Sequence, residues 1–152
     1  MANLDELRMM TADEMRACFY QEVPMSRNHL EKAAFRQSKF FEKWYSLCEE
    51  FAADVRDWED RLGRVRARAE VRLRSMPAAT LERKYGLFDL KEGAIKALLE
   101  LDKEVQRTKK KIRALKRIHL MLKGFVESGR QRKSMIRELE QLYAAKYWDK
   151  AD

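Results

Sequence analysis

The sequence predicts an all-α protein: a long antiparallel helical hairpin with a short N-terminal helix, oligomerising through helix faces. Three observations predict it. Five Gly and two Pro in 152 residues leave few places to turn the chain. A balance of 38% charged and 45% hydrophobic residues suits long helices that show water a wide surface. Apolar residues step by three and four along both halves, with no convincing strand alternation and no internal repeat. At this length one domain over 1–152 is expected.

Residues 4–20 read as a short amphipathic helix through Leu4, Leu7, Met10, Met15 and Phe19. Pro24 ends it, and Ser26 is placed to cap the next helix. Over 27–75, Phe41, Trp44, Cys48, Phe51, Val55, Trp58, Leu62, Val65 and Ala69 form an unbroken a/d seam. That helix would be about 70 Å long, too long to be the core of a lone globule. Gly63 inside it costs about 1 kcal/mol relative to Ala, which seam packing offsets.

Pro77 breaks the rod, and residues 76–91 form the connection, with Tyr85, Leu87 and Phe88 clustered around Gly86. A second long helix is predicted over 92–148. Its seam runs through Leu98, Leu101, Val105, Ile112, Leu115, Leu122, Val126, Ile136, Leu139 and Tyr143, weakening at Ser128-Gly129-Arg130, a candidate bend. Both long helices carry apolar residues beyond one stripe (Phe40, Leu47, Ile118, Phe125), and a homo-oligomer would bury that surplus.

Charge is sorted by position. Residues 1–60 carry 13 acidic and 8 basic side chains, a net of −5, and residues 61–152 carry 12 acidic and 25 basic, a net of +13. The switch falls at Arg61, which opens a segment containing Arg64, Arg66, Arg68, Arg72 and Arg74. Residues 105–123 contain Arg107, Lys109, Lys110, Lys111, Arg113, Lys116, Arg117 and Lys123 and no acid. Were the hairpin to close near residue 83, these segments would lie at similar heights and form one basic band. The competing reading is a solvated face laced with intramolecular pairs, but such helices alternate their signs and these stretches do not. A field of this sign attracts polyanions, nucleic acid first. No zinc-finger spacing, RNP aromatic strand or recognition-helix turn is present, so contact is expected with the phosphate backbone and without sequence readout. Tyr85, Phe88, Tyr147 and Trp148 could stack on unpaired bases; packing against a neighbouring helix is the commoner use of aromatics near helix ends.

Other chemistry is thinly supported. Cys18 and Cys48 lack a CxxC spacing and read as buried free thiols, as in a reducing cytoplasm. His29 and His119 have no Cys or carboxylate at ligand spacing, so neither a metal nor another cofactor is expected. Asp102 sits beside the seam and is expected to pair with an Arg or Lys of a facing helix. Without a phosphate loop, a nucleophile–base set or paired carboxylates, an enzyme is not indicated. No apolar run reaches the ~20 residues a membrane span needs, and the first residues lack a signal-peptide core, so a soluble intracellular protein is expected.

An order of features carries a resemblance. Lys43-Trp44, then Arg66-Ala67-Arg68-Ala69-Glu70, then Leu98-Leu99-Glu100-Leu101-Asp102-Lys103-Glu104-Val105, then Arg132 and Ile136, stand in that sequence. It resembles the UvsY family, the recombination mediators of T-even-type phages. There a Lys-Trp pair is followed by a basic Lys-Ala-Arg-Leu-Asp motif and a Val-Leu-x-Ala-Asp-Lys-Asp-Val segment. The family's basic motif runs on into Tyr-Tyr-Ser-Gly, where this chain has Val71-Arg72-Leu73-Arg74. The resemblance implies a non-enzymatic, ring-like homo-oligomer, a hexamer or heptamer, that binds single-stranded DNA in the cytoplasm of an infected bacterial host. It would help a RecA-like recombinase displace the single-strand-binding protein. Arg66 and Arg68 would contact DNA and the C-terminal helix would support oligomerisation. Two other readings remain: a coiled-coil adaptor whose basic face docks on an acidic protein and, with less support, an acidic-lipid-binding domain, since the basic faces lack flanking exposed aromatics and Leu. Acidic residues 1–22 would either meet a partner or cover the basic band.

Overall fold

The computed structural model describes residues 4–22, 30–87 and 89–145, and the side chains of 30–33 and 35 are not among those described. The described residues form six α-helices and no strand: α1 (Leu4–Met9), α2 (Ala12–Glu22), α3 (Leu30–Arg74), α4 (Ala78–Tyr85), α5 (Glu92–Leu101) and α6 (Lys103–Ala144). The long helices α3 and α6 pack together. The chain divides into two compact units, one of residues 1–52 with 117–152 and one of residues 53–116.

In the first unit an aromatic knot is the centre of the core. Trp44 is wholly buried, and Phe19 stacks on Phe125 with ring centroids 4.1 Å apart. Trp44 meets both rings edge-on at 5.3 Å. The Glu22 carboxylate accepts from the Lys43 ammonium at 2.5 Å and from the Trp44 indole N–H at 3.3 Å, joining the end of α2 to α3. Arg8 of α1 reaches Glu50 at 2.7 Å. Phe19 of α2 packs against Phe40 and Phe125. Of the apolar surplus read from the sequence, Phe40, Leu47 and Phe125 are buried within the chain and Ile118 is half-buried.

The helix expected over 4–20 is two helices, because Thr11 and Glu14 make a reciprocal cap. The Glu14 amide donates to Thr11 Oγ1 at 3.3 Å, and Glu14 Oε2 accepts from the Thr11 amide at 2.6 Å. The Thr11 amide and hydroxyl together hold the Glu14 carboxyl below the usual carboxylate range. Pro24 and Ser26 lie outside the described residues, as does the start of the helix expected from 27. Most of the α3 seam is buried as read: Trp44, Cys48, Phe51, Val55, Val65 and Ala69, with Phe41, Trp58 and Leu62 half-buried. Cys48 is buried, Cys18 half-buried, and both are free; burial pushes both thiols up, away from the reactive thiolate.

Through Ser128-Gly129-Arg130 α6 continues without interruption. A Cβ at Gly129 would stand 3.4 Å from the Phe40 ring, in ordinary van der Waals contact. Beside it Gln37 Nε2 donates to the Gly129 carbonyl at 2.8 Å, and Arg132 donates to Gln37 Oε1. Gln37 and Arg132 are buried polar groups in an apolar seam. Gly63 is the contrasting case, an exposed helix-interior position where an added Cβ would touch nothing within 4 Å. Gly63→Ala is expected to stabilise the protein by about 0.5–1 kcal/mol through helix propensity alone, read as a raised midpoint in urea at unchanged m-value.

The second unit departs most from expectation. Residues 76–91 contain a helix of their own, α4, closed by Gly86 in the left-handed region at φ 68. The helix expected over 92–148 is divided at Asp102, whose backbone is extended. Asp102 Oδ1 accepts from the amides of Glu104 and Val105 at 2.8 and 3.1 Å, so it caps α6 instead of continuing α5. The seam residue Leu101 is therefore turned out, 68% exposed, and at the far end Tyr143 is exposed as well.

Candidate nucleic-acid interface

Of the cations in the two basic segments, the second unit holds all but Arg117 and Lys123, which are exposed on the part of α6 belonging to the first unit. Its core of Val55, Val65, Ala69, Leu73, Ile95, Val105, Ile112 and Leu115 fixes which faces of α3 and α6 remain outside. Around that core the Arg61–Arg74 segment meets carboxylates from α5 and the start of α6. Arg66 pairs with Glu100 at 2.7 Å, Arg68 with Glu104 at 3.6 Å, and Arg72 with Asp102 at 2.6 Å. Arg74 reaches Glu92 at 2.5 Å and Glu70 at 2.8 Å. Lys109 shares Glu100 with Arg66, and Lys116 pairs with Glu59 of α3 at 2.6 Å. The Arg61 guanidinium lies over the Trp58 ring, 4.7 Å from its centroid.

Arg64, Arg107, Lys110, Lys111 and Arg113 have no ion-pair partner among the described residues. Neither has Lys103, which sequence reasoning passed over although it sits inside the Leu98–Val105 motif. Lys103, Arg107 and Lys110 recur at i, i+4 and i+7 on the outer side of α6. With Arg113 they line a groove of about 860 Å³, together with Lys109, Lys116, Glu59, Glu100, Leu62 and Ile112. Lys103 to Arg113 spans about 15 Å of helix, the length of about four phosphates of a stacked strand. A second hollow of about 670 Å³ shares Lys103 and Arg107 and is lined also by Lys84, Tyr85, Leu98 and Leu101. Tyr85 is exposed there, with the Lys84 ammonium 5.4 Å from its ring centroid. Phe88, Tyr147 and Trp148 lie outside the described residues.

The ion pairs are exposed and each is individually weak. Their pH response has a defined sign. Lys109, with Arg66, holds Glu100 below the usual carboxylate range, and Arg74 does the same for Glu92. A carboxylate whose folded pKa is depressed stabilises above its unfolded pKa of about 4.3 and loses that contribution as pH falls through the folded value. Thermal unfolding of the second unit should show no contribution from these pairs to any change between pH 5 and 8, and a loss only below about pH 4. An acid-side decline that Glu92→Gln with Glu100→Gln leaves unaltered would contradict this.

Among the described residues no three His, Cys, Asp or Glu side chains gather to hold a metal. His119 is half-buried and His29 lies outside the described residues. No helix among the described residues is long and apolar enough to cross a membrane. Comparison of the chain with protein-family models, with curated proteins and with solved structures finds no match in any of the three.

Proposed function

We propose that the protein is a non-enzymatic single-stranded-DNA-binding protein acting as a recombination mediator. The observation that carries the binding is the groove along α6, where Lys103, Arg107, Lys110 and Arg113 stand together without a carboxylate partner among the described residues. Such a surface neutralises phosphates and releases their counterions, with no base edge read. The mediator role rests on the order of the motifs from Lys43-Trp44 to Ile136. In this reading α3 and α6 form an antiparallel hairpin. Within the first unit Gln37 meets Arg132, and within the second Glu59 meets Lys116 and Arg68 meets Glu104, so the partner's number falls as the residue's own number rises. Several copies in a ring would line up their grooves along one strand and present it to a RecA-like recombinase in place of the single-strand-binding protein, in the cytoplasm of an infected bacterial host.

Titration of labelled oligothymidylate at several salt concentrations tests the binding. Log affinity should fall linearly with log salt at about −0.7 per phosphate neutralised, and absent or salt-independent binding would sink the proposal. Mass in solution with and without oligonucleotide reads the assembly. The adaptor reading has one observation in its favour: the arginines of α3 already sit against carboxylates borne on helices, as they would on an acidic partner. Competition between oligothymidylate and an acidic polypeptide such as polyglutamate separates the two.

A further inference from the structure

The carboxylates of the second unit are distributed unevenly along the chain. Glu92, Glu100, Asp102 and Glu104 fall within a short stretch and face, in order, Arg74, Arg66 with Lys109, Arg72 and Arg68. Negative charges spaced along one strand of backbone and set against a row of arginines are the arrangement a phosphate chain would itself adopt. From this we infer that α5, with the neighbouring carboxylates of Asp102 and Glu104, occupies a second polyanion site on α3, and that nucleic acid displaces α5 and takes over these arginines. The inference rests on the proposed DNA binding and adds to it a covered site and a means of uncovering it.

Three features make the cover removable. Glu92 and Glu100 are solvent-exposed, so each pair is worth little and exchanges readily for a phosphate oxygen. The α5 helix inserts one fully buried side chain, Ile95, and α4 one, Leu81. The chain is already non-helical at Asp102, so α5 can leave without unwinding α6. Meanwhile Asp102 Oδ1 keeps capping α6 whether or not its other oxygen holds Arg72. A strand seated in the open groove runs beside Lys109 and the Glu100 that Lys109 shares with Arg66. Exchange of phosphate for Glu100 at Lys109 also loosens Arg66, so the first site leads into the second.

The experiment compares the full chain with the variant Glu92→Gln/Glu100→Gln/Glu104→Gln, which leaves the Asp102 cap in place. Oligothymidylate affinity should rise about tenfold at 0.1 M salt, and the salt slope should steepen by about 1 as further cations become available. A variant with the same charge change elsewhere, Glu127→Gln/Glu138→Gln/Glu140→Gln, should gain several-fold less. Adding Arg66→Ala and Arg74→Ala to the first variant should cancel its gain. Saturation of the wild-type chain with oligothymidylate should speed amide hydrogen exchange over 92–101. Equal gains in the two Gln variants, or slower exchange over 92–101, would overturn the inference and leave DNA binding standing. Absence of binding by wild type and variants alike, to oligothymidylate and to inorganic polyphosphate, would overturn both.

Discussion

Replacing Arg107, Lys110 and Arg113 by Ala together should weaken oligothymidylate binding about a hundredfold at 0.1 M salt and flatten the salt slope by about 2. The magnitude comes from counterion release: three contacts at about 0.7 each, over one decade between 0.1 M and a 1 M reference, give about two decades of affinity. These three cations line the open groove and carry no ion pair among the described residues, so their loss removes phosphate contacts without orphaning a carboxylate. Helicity by circular dichroism should be unchanged, since Arg107, Lys110 and Arg113 are exposed and Ala is the better helix former. Arg66→Ala with Arg68→Ala is a useful contrast. Those two side chains are engaged by Glu100 and Glu104, and their removal should cost much less. If the two variants lose affinity equally, the groove on α6 is not where the strand first binds.

The largest stability effect is expected at Trp44. Trp44→Ala empties the centre of the aromatic knot, removes the edge-on contacts to Phe19 and Phe125, and leaves Glu22 without its indole donor. A truncation of this kind costs about 3–5 kcal/mol, equivalent to a fall of about 10–20 °C in melting temperature for a chain of this size. Trp44→Phe keeps much of the volume and should lose well under half as much. The Lys43–Glu22 pair beside it is nearly buried, with side chains 13% and 10% exposed. Lys43→Met should therefore be clearly destabilising too, because it strands the Glu22 carboxylate beside an apolar core. Urea unfolding followed by tryptophan-independent circular dichroism measures all three; a Trp44→Ala loss below about 1 kcal/mol would show that the knot is not the centre of that unit.

The parts of this fold that are local were legible in the sequence. Heptad periodicity identified Trp44, Phe51, Val65, Ala69, Val105, Ile112, Leu122 and Ile136 as buried, because a helix's inward face is set by spacing alone. It failed at Leu101, where a capping aspartate one residue later outweighed the seam. The signal was present in Asp102 followed by Glu104 in the first turn, as it was in the Thr11-x-x-Glu14 capping box. What one sequence could not supply was the register between distant segments. Counting charges showed a basic stretch at Arg61–Arg74, but its neutralisation depends on Glu92, Glu100 and Glu104 being brought opposite to it. Among the residues of 1–22, Glu22 pairs with Lys43 inside the first unit, while Glu92, Glu100, Asp102 and Glu104 lie against the arginines of α3.

The buried bridge from Arg132 through Gln37 to the Gly129 carbonyl has a consequence for uniqueness. Two long heptad seams are nearly self-similar: slide one along the other by seven residues and most apolar side chains find another apolar neighbour. A slip of that kind would place the Arg132 guanidinium against hydrocarbon and take from the Gln37 side-chain amide both its acceptor and its donor, whereas the native offset satisfies them. One arginine and one glutamine thus work as a key cut into an otherwise repetitive zipper, so that only one of its many nearly equivalent closings is the stable one.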